Sequence, residues 1–190
     1  MKNLLVSFAA LTLLVFVACE PAAVIEESAE TAENVAPDYA QFDKNVNVLR
    51  SFLKAHCDEN LDLQKQLLSD TMQWSPAAYN GNEWLGKDDL VAALAGYHTD
   101  FENIQYQEGI VLVDTVANGM WSGSVFPETQ ATSIPVNVRQ YGTWTAKHTA
   151  SGKEIGVKWF ALGNVNDAGK IVSWSEYFDV NGIAAQLAEE

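Results

Sequence analysis

Glu176 has the residue type and the neighbours that proton-transfer chemistry requires. It lies between Trp174 and Phe178 in a run of alternating apolar and polar residues, and this alternation predicts a β-strand over residues 171–179. Successive side chains of a strand point to opposite faces of its sheet, so Trp174, Glu176 and Phe178 share one face. Indole rings beside a carboxylate remove its hydration, which raises its pKa and suits it to act as a general acid or base.

Two predicted turns extend this face to the neighbouring strands. If residues 166–169 form the turn between the last two strands, Trp159 lies opposite Glu176. If residues 150–153 form the preceding turn, Trp144 lies opposite Trp159. Directly paired residues project from the same face, although a one-residue bulge would reverse part of the assignment. The prediction therefore places four aromatic side chains around the glutamate as candidate ligand-binding residues: Trp144, Trp159, Trp174 and Phe178.

Glu176 also has a structural interpretation. A carboxylate that accepts hydrogen bonds from its neighbours can stabilise a fold without taking part in any chemistry. The residue would lie at the surface if this face of the sheet were the outer one. The sequence leaves the functional and the structural roles of Glu176 open.

The three histidines give weaker signals. His148 lies at the mouth of the hairpin predicted to turn at residues 150–153, and we include it as a candidate ligand-binding residue. His98 ends a predicted helix, where histidine commonly interacts with the last carbonyl groups. His56 falls on the solvated side of another predicted helix, and Trp74 has the character of a core residue. Because no two histidines stand at metal-ligand spacing, we predict no metal site. We also predict no cofactor.

Residues 1–18 have the pattern of a bacterial lipoprotein signal. A lysine precedes an apolar run that is too short to span a bilayer but is typical of a signal-peptide core. The run ends in Val17-Ala18-Cys19, which resembles the site at which lipoproteins are cleaved and lipidated, so we predict acyl chains on Cys19. An ordinary signal peptide with a chance cysteine is the alternative. The lipoprotein interpretation predicts a protein of the bacterial cell envelope, on the periplasmic or surface side. It also predicts that only the lipid anchor attaches the protein to a membrane.

The composition of residues 19–38 predicts a flexible tether, because this segment is acidic, rich in alanine and poor in large apolar side chains. The folded domain then covers residues 39–190. The whole chain has 25 acidic and 11 basic residues and a net charge of −14. Nucleic-acid binders need a basic surface, so this composition argues against nucleic acid as a partner.

Helices precede strands in the predicted order of elements. Apolar residues at three- and four-residue spacing predict helices over residues 43–57, 61–69 and 88–98. Alternation with a period of two then predicts five strands, over residues 104–113, 120–125, 138–147, 155–165 and 171–179. This order is typical of an α+β domain in which an antiparallel sheet packs its helices on one face.

The globular part resembles the SnoaL-like branch of the nuclear-transport-factor-2-like (NTF2-like) superfamily. The resemblance covers residues 42–187 and rests on Leu67-Leu68-Ser69-Asp70, on Trp74-Ser75-Pro76 and most specifically on Trp174-Ser175-Glu176-Tyr177-Phe178-Asp179. It implies a cone-shaped α+β fold, a cystatin-like roll, in which a curved antiparallel sheet wraps around three N-terminal helices and an internal pocket. It also implies that Glu176 points into this pocket and that the outer face of the sheet forms a homodimer.

The resemblance leaves the reaction open. The catalytic residues of ketosteroid isomerases correspond to Phe52, Ser75 and Ala161 in this chain, and these side chains cannot carry out the same chemistry. The Arg-x-Asp pair of limonene-epoxide hydrolases falls on Thr143-Trp144-Thr145. SnoaL-type polyketide cyclases need little more than an acid or base in an aromatic cavity. We therefore expect a domain that binds a small apolar or aromatic molecule. The alternatives are a cyclase, isomerase or epoxide hydrolase that uses Glu176, and a dimeric structural or accessory module.

Overall fold

The computed structural model describes residues 38–122 and 136–188. The predicted export signal, Cys19 and the tether through residue 37 lie outside the described residues. None of the helices in the described part of the chain is both long enough and apolar enough to span a membrane.

Three helices occupy the first half of the described domain. They are α1 (Ala40–Cys57), α2 (Leu61–Leu67) and α3 (Lys87–Asp100). Local hydrogen bonds define two of their starts: the Asn60 side chain accepts from the Leu63 amide at 3.0 Å, and the Gly86 amide donates to the Asp89 carboxylate at 2.9 Å. The helices predicted from spacing are confirmed, with bounds that differ by one to three residues.

Eight strands are described, and six of them form one curved sheet. Its strands follow the order β1-β8-β7-β6-β2, and β5 pairs with the other end of β6. The short β3 and β4 form a separate hairpin. The bounds of the strands are β1 (Leu68–Ser75), β2 (Phe101–Glu108), β3 (Ile110–Val111), β4 (Val116–Ala117), β5 (Met120–Ser122), β6 (Val138–His148), β7 (Glu154–Val165) and β8 (Ile171–Phe178).

The fold is α+β with a curved sheet, as predicted, but several elements differ from the expectation. The strand predicted over residues 104–113 is divided into β2 and the two-residue β3, and the strand predicted over residues 120–125 is described only as far as Ser122. Strand β1 pairs with β8 in parallel, so the sheet is antiparallel everywhere except at this edge. A fourth helix, α4 (Val180–Ala188), follows β8. It is fastened to β7 by Gln186, whose side chain accepts from the Gly156 amide at 2.9 Å and donates to the Gly156 carbonyl at 3.0 Å.

The pairing of β7 with β8 is two residues away from the predicted register. Trp159 lies opposite Phe178, and Glu176 lies opposite Ala161. The turn accounts for one residue of this shift, since Val165 pairs with Ile171 instead of Lys170. Val172 accounts for the second residue of the shift. Val165 pairs with Ile171 and Asn164 pairs with Ser173, so Val172 lies between two pairs without a partner on β7. A register shift of one residue moves side chains to the opposite face of the sheet, and a shift of two residues returns them. The side chains therefore lie on the predicted faces.

The pairing of β6 with β7 is also shifted by two residues. Trp144 lies opposite Val157, and Gly142 lies opposite Trp159. The connection is longer than the predicted turn, because the last pair before it is Lys147 with Glu154. Trp144 and Trp159 consequently remain on one face, although they are diagonal neighbours and not direct partners.

The hydrophobic core fills the space between this face and the first helices. Leu49 and Phe52 of α1, Leu90 of α3, and Trp159 and Trp174 of the sheet are buried in one cluster. The tryptophan face is therefore the concave face of the sheet, as the resemblance implied.

Candidate functional site

A cavity of about 100 Å³ lies between the concave face of the sheet and the helices. Strands β1, β6, β7 and β8 contribute its aromatic wall, and α1 and α3 contribute most of the opposite wall. Most of its lining is apolar, and three side chains in it carry groups that can hold or transfer a proton. These side chains are Glu176 of β8, His56 of α1 and Tyr97 of α3.

The carboxylate of Glu176 is held at both of its oxygens by indole groups. Trp74 of β1 donates its Nε1–H to Oε1 at 3.0 Å, and Trp159 of β7 donates its Nε1–H to Oε2 at 3.1 Å. Adjacent strands thus fix the orientation of the carboxyl group. Each oxygen can accept more than one hydrogen bond, so the carboxylate retains capacity toward the cavity that it lines.

Two opposing effects act on the pKa of Glu176. Burial raises the pKa by disfavouring the charged form, and the indole groups of Trp159, Trp74 and Trp174 oppose this rise by stabilising the carboxylate. Burial is the larger effect, so the pKa lies above the ordinary value for glutamate. A carboxyl group with this shift is a candidate general acid or base.

Tyr97 lies on the helical wall of the same cavity. Burial, and then the negative charge of Glu176, raise the pKa of Tyr97 to about 12. Its hydroxyl group is therefore protonated at neutral pH and can donate a hydrogen bond. The sequence gives no signal for this role, because the residue occupies an ordinary position in the pattern of α3.

His56 lies against the aromatic wall and not on the solvated side of α1 where the sequence pattern places it. Its ring meets Trp144 edge-on at a centroid distance of 5.2 Å and meets Tyr97 edge-on at 6.2 Å. Its Nδ1 lies 2.9 Å from Nε2 of His98. Burial, and then the repulsion that a proton on His98 would exert, lower the pKa of His56 to about 3, so its imidazole is neutral at physiological pH.

The structure brings most of the predicted site residues together. Glu176 lines the cavity, and so do four aromatic residues: Trp144, Trp159, Trp174 and Phe178. Trp74, which the sequence suggests only as a core residue, lines it as well and contacts Glu176. Its role follows from the parallel pairing of β1 with β8, which the sequence does not predict.

His148 does not join this group. Its Nδ1 lies 2.8 Å from Ser151 Oγ, and its ring packs against Phe101 with a centroid distance of 5.5 Å. These contacts hold the β6–β7 connection, outside the cavity lining. Among the residues that the structure describes, no group of three or more His, Cys, Asp or Glu side chains is placed to hold a metal ion.

Comparisons with known proteins identify the fold. No protein-family model matches the chain, and no curated protein matches it. Solved structures do. An LEH-like epoxide hydrolase from M. tuberculosis is 15% identical, with a TM-score of 0.53 over 77% of this chain and 91% of that one. A proposed SnoaL-like polyketide cyclase from Shewanella denitrificans is 10% identical, with a TM-score of 0.54 over 77% and 98%.

A proposed isomerase from Bacillus subtilis is also similar, at 12% identity, with a TM-score of 0.60 over 79% of this chain and 96% of that one. At these identities the likeness concerns the fold and does not extend to activity. The domain therefore has the NTF2-like α+β fold that SnoaL-like polyketide cyclases and LEH-like epoxide hydrolases share.

Proposed function

We propose that the domain binds a small apolar or aromatic molecule in the cavity of the curved sheet. The observation that carries this proposal is the lining, in which several aromatic rings surround one shielded carboxyl group, that of Glu176. Apolar pockets with a few placed polar groups are typical binding sites for small molecules. A dry apolar cavity of about 150 Å³ in another protein accommodates benzene. The cavity of about 100 Å³ is of the same order, which supports a ligand of about one ring.

Catalysis by Glu176 is the second candidate function. The raised pKa of its carboxyl group supports it, and so does the Tyr97 hydroxyl group on the opposite wall. The structurally similar proteins include an epoxide hydrolase, a proposed cyclase and a proposed isomerase, which supports chemistry of these kinds. Binding is favoured because Thr143 and Thr145 stand where the resemblance expects the Arg-x-Asp pair of epoxide hydrolases.

The proposal extends to the location and assembly of the protein. The pattern of residues 1–18 supports export, and Cys19 supports attachment to a membrane of the bacterial envelope through acyl chains. The aromatic outer face of the sheet supports a homodimer, and a dimeric module without a ligand remains the third candidate function. We propose no nucleic-acid partner, since the chain carries a net charge of −14.

Titration with toluene tests ligand binding. The experiment uses the full chain with Cys19→Ser, so that acyl chains cannot fill the cavity, and follows the tryptophan indole N–H signals by NMR. We expect the signals of Trp74 and Trp159 to shift, because their rings line the cavity. The signals of Trp84 and Trp121, which are exposed elsewhere on the domain, should remain in place.

Two variants of α3 provide a matched control. Ala93 lines the cavity, whereas its neighbour Ala92 is exposed and does not. Ala93→Phe should fill the cavity and abolish the toluene-induced shifts, while Ala92→Phe should leave them unchanged. Equal binding by both variants would place the ligand outside the cavity and refute the proposal.

A further inference from the structure

His56 and His98 form a pair of neutral imidazoles at the ends of α1 and α3. The distance of 2.9 Å between His56 Nδ1 and His98 Nε2 is that of a hydrogen bond. Burial lowers the pKa of both rings, although the charge of Glu59 partly opposes the effect on His98. In a pair of neutral rings one nitrogen must donate and the other must accept, so each ring determines the tautomer of the other.

The second nitrogen of His56 is not used by the fold. Among the described residues, no hydrogen-bond partner of His56 Nε2 is present, although the ring lines the cavity. The ring is packed between Trp144 and Tyr97. A phenylalanine here would keep these ring contacts, whereas the imidazole adds a polar nitrogen that an oxygen atom of a ligand could bind.

His56 and Glu176 are separate features of the cavity. His56 contacts Trp144, the Trp144 and Trp159 rings meet edge-on at a centroid distance of 6.0 Å, and Trp159 donates to Glu176. A chain of contacts through two indole rings thus links the imidazole to the carboxylate. Both groups line the cavity, so a ring-sized molecule there has two different polar groups available.

We propose that His56 is the specificity-determining contact of the cavity, binding an oxygen substituent of a single-ring ligand through Nε2. His98 is a positioning residue, since its hydrogen bond to Nδ1 of His56 orients the imidazole and couples the tautomers of the two rings. The inference rests on the proposed ligand binding and narrows the ligand class to small ring compounds with a hydroxyl or carbonyl oxygen.

Phenol and toluene test this proposal because they have nearly the same shape and differ by one hydroxyl group. A hydroxyl group can both donate and accept, so phenol suits either tautomer of His56. In the full chain with Cys19→Ser, His56→Phe should weaken phenol binding about five- to tenfold, as expected for one net hydrogen bond. Toluene binding should change less than about twofold, since an aromatic ring is retained.

His148→Phe is the matched control, because His148 lies outside the cavity lining. It should leave the affinities for both probes unchanged. If His56→Phe alters phenol and toluene affinities equally, the assignment of His56 is wrong even though the cavity binds ligands. If neither probe binds the unmodified site, the proposed ligand binding itself fails. Dispersed indole signals report whether each variant is folded.

The role of His98 has its own readout. We expect the tautomer ratio of His56 in the long-range 1H–15N NMR spectrum to change in His98→Ala and to return towards the wild-type ratio in His98→Gln, whose amide can replace the partner atom. His98→Ala should also weaken phenol binding and spare toluene binding, because the imidazole of His56 loses the hydrogen bond that holds its orientation. This expectation keeps the proposal testable if His56→Phe does not fold. An unchanged tautomer and an unchanged phenol affinity in His98→Ala would overturn the positioning role.

Discussion

Two indole N–H groups depend on Glu176, one from Trp74 on β1 and one from Trp159 on β7. The residue therefore joins two strands and lines the cavity at the same time. Its removal would leave both buried donors without this acceptor, and unsatisfied buried donors are costly. A structural contribution and a functional one coexist in this side chain, and substitutions can separate them.

Glu176→Leu should lower the free energy of unfolding by about 2 kcal/mol, because neither indole group retains its acceptor. Glu176→Gln keeps one carbonyl oxygen for an indole group, so its loss should be smaller, at about 1 kcal/mol. Urea unfolding at neutral pH measures both values. A Glu176→Leu protein more stable than the wild type would mean that desolvation of the carboxyl group outweighs its hydrogen bonds.

The raised pKa of Glu176 also predicts how stability depends on pH. Between the ordinary value of 4.5 and the higher value in the folded protein, the folded state binds more protons than the unfolded state. Stability attributable to this group therefore falls as the pH rises through that window. Comparison of unfolding free energies for the wild type and Glu176→Gln, from acidic to neutral pH, should show the wild type losing its relative advantage as the pH rises. A difference that is constant with pH would contradict the raised pKa.

At the scale of elements, Gly142 of β6 keeps the aromatic wall in place. A Cβ atom at this position would lie 2.2 Å from the ring of Tyr106, which packs on Trp144 at a centroid distance of 4.6 Å. The Tyr106 hydroxyl group also donates to the Tyr141 carbonyl at 3.0 Å, so the ring has little freedom to move away. The absence of a side chain at residue 142 is thus part of how the sheet presents its tryptophans.

Gly142→Ala should destabilise the domain by about 1–3 kcal/mol, the usual range for overpacking. It should also shift the indole signal of Trp144. Gly156→Ala on β7 is the control, because a Cβ atom there meets nothing closer than Thr145 Cγ2 at 3.7 Å. Thermal melts of the two variants measure the contrast, and equal stabilities would show that Tyr106 relaxes without cost.

The elements also show what sequence patterns can predict. Alternation in β8 suffices to group Trp174, Glu176 and Phe178 on one face, since sidedness depends only on parity. The pairing partners depend on the lengths of the connections and on the skipped Val172, which composition does not encode. The contact between Trp74 and Glu176 spans 102 residues and follows from the tertiary pairing of β1 with β8.

Helix patterns have a similar limit. Spacing identifies the buried stripe of α1 correctly, with Leu49 and Phe52 in the core. His56 is assigned to solvent because the pattern describes one helix alone, whereas α3 brings His98 and Tyr97 against it. Helix α4 is not predicted because it has only nine residues and none of them is buried. It is therefore too short and too exposed to produce a recognisable periodic pattern.

At the scale of the whole molecule, an aromatic ladder crosses the outer face of the sheet. Tyr141, Phe160 and Tyr177 stack in sequence, with centroid distances of 4.8 and 5.8 Å, and Tyr177 is 57% exposed. Aromatic side chains are enriched at protein interfaces relative to the rest of the protein surface. The ladder is the surface on which we place the proposed homodimer.

Tyr177→Lys should convert the dimer to a monomer, because symmetric pairing would bring the two introduced charges into one apolar interface. Tyr79→Lys is the control: Tyr79 is 85% exposed and lies outside the sheet. Light scattering at tens of micromolar measures the mass. A monomeric mass for the wild type would contradict the proposed homodimer.

Attachment to the membrane is predicted to depend on Cys19 alone. Cys19→Ser should leave the thermal melt of the domain unchanged and move the protein from the membrane fraction to the supernatant after cell fractionation, since acyl chains supply the attachment. A Cys19→Ser protein that still sediments with membranes would contradict the lipoprotein prediction.

The central claim is that the aromatic cavity binds a single-ring ligand, and bromobenzene tests it most directly. Its bromine atom scatters anomalously, so a crystal of the full chain with Cys19→Ser soaked in bromobenzene locates the ligand without assumptions about its pose. The account predicts a bromine peak against Trp144 and Trp159 in this protein and in its Ala92→Phe form, and none in its Ala93→Phe form. A peak on the outer face of the sheet, or no peak in the cavity of any of the three, would contradict it.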